Sequence, residues 1–244
     1  YYSRARNLMK AARWIMTERQ GQFPNQLDDL LELPGVGRYT AGAIASIAFN
    51  QPAPILDGNV IRVLTRLHAL AGDPKGKELN ARLWQLAEEW VGAAGQTRPS
   101  SAGSPLAAGP CSALNQSLME LGATVCLPRS PKCDICPVQT FCHALQLNRV
   151  EAFPQTADRP LVEEKHYAVL VIEREGRYWV RQRPAGIVNA GFWEFPNLEI
   201  DGMDARAAAA QWLSVAAASL EDIGTFRHAI TRYRIRLEVF LARP

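Results

Sequence analysis

No apolar run in the 244-residue sequence approaches the roughly 20 residues that a bilayer-spanning helix needs, which excludes a reading as an integral membrane helix. Cysteine is scarce as well as badly spread for an extracellular scaffold: there are five, and four fall between residues 126 and 142. A secreted disulfide framework distributes its cysteines through a small, loop-rich chain, so an intracellular protein is expected. No signal peptide is visible, and no internal repeat points to a solenoid. The sequence also lacks an initiating methionine; Tyr1-Tyr2 stands inside what reads as a helix, and a missing upstream segment is expected. Charge of one sign is not dominant either, the net being +3. Divided at residue 150, the first part carries 15 Lys+Arg against 11 Asp+Glu and the second 12 against 13. The polyanion-binding surface, if there is one, belongs to the first part.

What is present divides by period. Residues 3–19 place Leu8, Met9, Ala12, Ile15 and Met16 three and four apart, the spacing of an amphipathic helix. Asn25 is expected to cap a short helix ending at Leu31. Thr40–Phe49 is small and apolar almost all round, and so should be buried; helices then follow over Val60–Leu70, Leu79–Val91 and Leu114–Gly122. Gly92–Cys111, rich in Gly, Pro, Ser and Ala, reads as a surface loop containing Cys111. Residues 150–165 read as an interdomain linker. Beyond it HYAVLVIE and RYWVRQRP, joined by Glu175-Gly176, read as a hairpin; Asp204–Ala218 reads as a helix and Tyr233–Leu241 as a strand. The expected class is multidomain, α followed by α+β: residues 1–149, the linker, and residues 166–244. Because Pro244 comes soon after a strand, the second domain is also expected to be incomplete.

Cys126, Cys133, Cys136 and Cys142 lie at spacings C-x6-C-x2-C-x5-C on a proline-stiffened stretch. Four thiolates suit either a tetrahedral zinc or a [4Fe–4S] cube. Cys-rich zinc sites use paired C-x2–4-C knuckles, and only Cys133 and Cys136 form one, so the spacing favours the [4Fe–4S] cluster.

In LPGVGRYTAG, Gly35 and Gly37 permit a sharp turn between helices. The amides of Gly35, Val36, Gly37, Arg38 and Thr40 then face outward at the positive end of the second helix, a cup for a phosphate oxygen. Asp57, ahead of a helix, is suited to capping it.

Taken together, LPGVGRYTAGAIASIAF, ILDGNVIRVLTR, ELGATVC and the four-cysteine loop resemble the endonuclease III superfamily of base-excision DNA glycosylases, over nearly all of residues 1–149. The resemblance implies a helix-hairpin-helix fold, a [4Fe–4S] cluster, and binding of double-stranded DNA by a monomer located with the DNA. Tyr39 stands where strand-nicking members carry a lysine, and so looks like the adenine glycosylase branch of MutY type. By the same resemblance Asp57 is the carboxylate beside the sugar, Asn59 helps position sugar and water, and Tyr1 is the wedge that aids extrusion of the base. Family members also use a glutamate on an earlier helix; Glu18, Glu32 and Glu120 stand at non-matching positions, so this chain alone is expected to bind DNA poorly and to remove adenine slowly or not at all.

The second half, with its RP…GFWEFP stretch, resembles a Nudix-fold domain. A Nudix hydrolase needs a glutamate-bearing helix to hold magnesium; here that helix reads DARAAAAQWL, which argues against pyrophosphate hydrolysis. The resemblance instead implies recognition of 8-oxoguanine opposite adenine, through Phe226, His228 and Thr231 of FRHAITR. The expected substrate is therefore an A:8-oxoguanine or A:G mispair. The rivals are an endonuclease III-type glycosylase and lyase, and an inactive DNA-binding homologue.

Overall fold

The structure, a computed structural model, describes residues 2–97, 109–155, 161–187, 189–230 and 232–243. Its contacts divide it into two compact units, residues 1–157 and 158–244. Among the described residues no helix is long and apolar enough to cross a membrane.

The first unit is helical: α1 (Tyr2–Glu18), α2 (Leu27–Leu31), α3 (Arg38–Ala43), α4 (Gly58–Leu67), α5 (Lys77–Gly95), α6 (Pro110–Thr124) and α7 (His143–Gln146). The helix expected at residues 3–19 forms, but of its expected stripe only Ile15 packs inward. Leu8 is 73% exposed, with Met9 and Met16 also open, while Ala11, Trp14 and Ile15 pack toward Leu30, Leu33 and Ala41. Residue spacing alone cannot choose between two adjacent stripes of one helix. At α2 the cap is Gln26 rather than Asn25, and no side chain bonds to the helix start.

The small residues from Ala41 to Ser46 have a clear use. α3 widens into a π-helical stretch, Ile44–Ala48, and Ala41, Gly42, Ala45 and Ser46 are all buried. A Cβ on Gly42 would stand 2.1 Å from the carbonyl oxygen of Pro54. This is backbone against backbone, which cannot be relieved by a rotamer change. Gly42→Ala is expected to cost about 3 kcal/mol, in the range of severe overpacking, read as a lowered urea midpoint with an unchanged m-value.

α6 begins at Pro110, four residues before the expected start, and takes in Cys111, which is buried in its first turn rather than lying in a loop. The early start depends on a distant residue. The Asn50 Oδ1 accepts from the amides of Cys111 (3.0 Å) and Ser112 (3.2 Å), capping the helix end from 61 and 62 positions away. From there α6 lies against α4, α5 and the π-helical stretch. Asn115, buried, donates to Ser46 Oγ (2.8 Å) and the Ala53 carbonyl (3.0 Å). Of the Gly92–Cys111 stretch, residues 98–108 lie outside the described residues.

The second unit is a mixed sheet ordered β2 (Arg177–Tyr178), β1 (Glu163–Arg174), β7 (Tyr233–Ala242), β6 (Glu221–Ile230), with β1 parallel to β7. The hairpin of β1 and β2 turns at Glu175-Gly176, both with positive φ. Beyond Trp179, whose N–H still donates to the Ile172 carbonyl, RYWVRQRP leaves this sheet: β3 (Arg181–Gln182) pairs with β4 (Trp193–Glu194), while β5 (Asn197–Glu199) pairs with β1. Ala168, Leu170 and Ile172 alternate inward along β1, and α8 (Ala205–Leu213) covers them with Ala205, Ala209 and Ala210. α8 stops five residues short of the expected Ala218, at Ser214 in the left-handed region. The expected linker 150–165 is partly built into the units. Val150–Ala152 forms a helical turn in the first unit, and β1 begins at Glu163.

Candidate functional site

The turn between α2 and α3 uses its two glycines differently. Gly35 has φ +79°, and a Cβ there would lie 2.5 Å from the side chain of Asn7 on α1, so the position excludes other residues on two grounds. Gly37 has no atom within 4 Å of where a Cβ would be. Its bareness makes no internal packing, and leaves the backbone open to an approaching group. The expected cup is smaller than its sequence range: the Val36 amide is spent on the Leu33 carbonyl at 3.0 Å. The first intrahelical bond runs from Ala41 N–H to Gly37 O at 2.9 Å, so the amides of Arg38, Tyr39 and Thr40 form the helix's positive end. The Arg38 guanidinium rests over the Trp84 ring of α5, 3.9 Å from its centroid.

Tyr39 is 39% exposed and its hydroxyl reaches Met119 Sδ on α6 at 3.7 Å. One turn further along α6, Gly122 lets α4 come close. A Cβ at Gly122 would fall 2.6 Å from Asn59 Cβ. Tyr39 and Asn59 are thus backed by residues three apart on one face of α6.

Asp57 caps α4: its Oδ1 accepts from Val60 N–H at 2.8 Å, and its Oδ2 accepts from Asn59 Nδ2 at 3.1 Å. The other end of the Asn59 amide, Oδ1, accepts from Arg62 Nη2 at 2.8 Å. Arg62 in turn donates through Nε to the Cys126 carbonyl at 2.6 Å, and through Nη2 to the Gly122 carbonyl. A continuous set of bonds therefore fixes the half-buried carboxylate of Asp57 to the first residue of the cysteine loop. Burial pulls the Arg62 guanidinium below its ordinary range, with Cys126 and Asp57 acting to hold it charged.

Cys126, Cys133, Cys136 and Cys142 line one pocket, together with Val63, Arg66 and Leu121 among others. Burial, then the neighbouring sulfurs of Cys126, Cys142 and Cys136, push the Cys133 thiol up; burial likewise pushes Cys136 up. Arg66 is 2% exposed and meets the loop directly, Nη1 lying 3.4 Å from Cys126 Sγ.

In the second unit, Phe226 and His228 sit on β6, opposite Leu237 and Ile235 of β7, and therefore share one face of the sheet. Both are exposed, Phe226 by 54%. Ile230 pairs with Tyr233 across the hairpin, and Arg232 is held by the Tyr233 hydroxyl (3.0 Å) and by Glu163 (3.4 Å). Thr231 lies outside the described residues, as does Tyr1. α8, ARAAAAQWL, bears no carboxylate.

Three family models match: the helix-hairpin-helix motif at residues 18–47, the iron–sulfur binding domain of endonuclease III at 126–142, and the NUDIX domain at 167–244. An adenine DNA glycosylase of Arabidopsis thaliana is 36% identical over 99% of this chain and 40% of its own length. That of Rattus norvegicus is 35% identical over 98% and 54%, and that of Buchnera aphidicola subsp. Schizaphis graminum 30% over 97% and 64%. The chain belongs to the adenine DNA glycosylase family. It spans between 40% and 64% of the length of these relatives.

For a member of the adenine glycosylase family, the cysteine loop is the site of an iron–sulfur cluster, and the residues present fit one. Gathering four thiolates costs repulsion and desolvation, as the raised Cys133 and Cys136 thiols reflect, and a cationic metal core offsets both. Among the described residues no three His, Cys, Asp or Glu side chains are close enough to hold a metal ion together; the four cysteines do line one pocket. Arg62 and Arg66, which join Asn59 and Cys126 in the structure, are the positions that sequence reading missed. With Asn59 they recur at three and seven residues along one stripe of α4, so an apolar helix carrying its cations on the same side as its one amide was the available signal.

Proposed function

We propose that the protein is a monofunctional adenine DNA glycosylase, acting as a monomer on double-stranded DNA and hydrolysing the N-glycosidic bond of adenine mispaired with 8-oxoguanine or guanine. The proposed division is a glycosylase domain over residues 1–149 with its [4Fe–4S] loop at 126–142, and a Nudix-like reader over 166–244. The observation that carries the reading is the position of Asp57, whose carboxylate is aimed by Val60 N–H and Asn59 and stabilised through Arg62. As the C1′–N9 bond breaks, its electron pair leaves with adenine and the sugar becomes cationic; a fixed carboxylate stabilises that charge more than it stabilises the neutral substrate. Asn59 orients the carboxylate and the attacking water. Water adds to C1′ and its proton ends on the departed adenine, giving free adenine and an abasic site with no Schiff base to the enzyme.

The other roles follow from chemistry. Gly35, Gly37 and the amides of Arg38 and Thr40 hold a phosphate of the DNA strand, with Val36 packing the turn beneath them. Tyr1 aids extrusion of the adenine. Phe226, His228 and Thr231 read 8-oxoguanine, and Cys126, Cys133, Cys136 and Cys142 ligate the cluster. Tyr39 has no amine to attack the sugar, which opposes the lyase reading. An α8 without carboxylates opposes pyrophosphate hydrolysis.

The test uses the full-length protein and a duplex with one A:8-oxoguanine pair. Adenine is expected in solution, the strand breaking only after alkali, with no covalent adduct on addition of borohydride. A trapped adduct with spontaneous nicking would contradict the reading, as would a duplex that binds and keeps its adenine.

A further inference from the structure

Arg66 is a buried cation with no carboxylate partner among the described ion pairs, an arrangement that is expensive unless other charge or dipoles compensate it. Its compensation comes from two separate pieces of chain. Nη1 donates to the Leu127 carbonyl at 2.7 Å and faces Cys126 Sγ at 3.4 Å, while Nη2 faces the Pro128 carbonyl at 3.3 Å. Nε donates to the carbonyls of Val150 (2.9 Å) and Phe153 (3.0 Å), which follow the last cysteine. The Arg66 backbone oxygen accepts from Cys142 Sγ at 3.5 Å. One residue thus touches the first and last ligands of the cluster, and the segment by which the chain leaves the first unit. That segment has its own small core, in which Phe153 and Val150 pack with Cys142 and Ala144.

We propose that Arg66 is a positioning residue that makes the iron–sulfur cluster and the exit segment 150–153 one cooperative piece. Carbonyl dipoles offset only part of its charge; the thiolate-ligated cluster, an anion, supplies the rest. With the cluster in place the guanidinium is neutralised, and its Nε is fixed toward Val150 and Phe153. With the cluster removed, the cation is left among carbonyls and reaches water by releasing them. The state of the cluster is then felt at the root of the connection to the second unit, with no role for the catalytic carboxylate in the coupling.

The experiment is amide exchange on the full-length protein, before and after removal of iron by ferricyanide with a chelator. Exchange at residues 150–153 is expected to rise by roughly tenfold or more along with that of the cysteine loop, while α1 to α3 stay protected. Arg66→Met should raise exchange at 150–153 even in the iron-loaded fraction, speed iron loss by roughly 10- to 100-fold, and shift the cluster's reduction potential. Arg66→Lys keeps the charge but not the fork; it should restore iron retention, and leave 150–153 fast-exchanging. If iron removal from the unsubstituted protein leaves 150–153 as protected as before, the proposal is overturned, whatever the variants do. It is equally overturned if Arg66→Met keeps iron, potential and exchange unchanged.

Discussion

Asp57→Asn should leave the protein folded and DNA-bound while lowering the single-turnover rate of adenine release by at least about 10²- to 10³-fold, the magnitude of losing one preorganised charge at a reacting centre. The fold should persist because the cap needs only an oxygen at this position: an asparagine Oδ1 can still accept from Val60 N–H, now at 2.8 Å. What disappears is the negative charge, together with the acceptor that Oδ2 offers Asn59 Nδ2. The effect must therefore fall on the chemical step and not on duplex affinity, and single-turnover kinetics beside a binding titration separate the two. A variant that bound weakly but reacted at the normal rate would assign Asp57 to capping alone.

The second large effect is expected at Arg62. Arg62→Met keeps much of the aliphatic stem but removes the donors to the Asn59 amide oxygen and to the carbonyls of Gly122 and Cys126. Two partly buried carbonyls are then left without those donors, which should cost about 3 kcal/mol in stability. Asn59 also loses the bond that holds its amide in one orientation, so it can no longer present Nδ2 reliably to Asp57. Base release is expected to slow by roughly tenfold or more, at saturating DNA, from loss of orientation alone. Urea unfolding and single-turnover release on the same preparation check both parts. Unchanged values in both would mean that the bonds from Asp57 to the cysteine loop carry no energy.

Some of the site was legible because its chemistry is local. A four-thiolate loop needs its ligands within reach of one core, and a helix-hairpin-helix turn needs its glycines beside the bend, so Cys126 to Cys142 and Gly35 to Thr40 declare themselves by spacing. Arg62 and Arg66 do not. On a helix an arginine normally reads as solvated, and what marks these two is acceptors 60 to 87 positions away. The same limit explains α6, whose first turn is capped by Asn50 across 61 residues. It also explains α1, where apolar spacing is right and the buried face is not. β6 was missed for a different reason: EDIGTFRHAI is exposed almost throughout and interrupted by a bulge at Ile223, between Asp222 and Gly224, so it has no inward alternation to read.

The central claim is electrostatic: Asp57 acts on positive charge at the sugar. Its most direct test is the affinity of the full-length protein for a duplex carrying a cationic pyrrolidine abasic-site analogue opposite 8-oxoguanine, measured beside the neutral tetrahydrofuran analogue. The cationic duplex should bind at least about 100-fold more tightly, as analogues of a charged transition state do, and Asp57→Asn should abolish that difference while leaving binding of the neutral duplex almost unchanged. Equal affinity for the two duplexes, or a preference that survives Asp57→Asn, would contradict the claim.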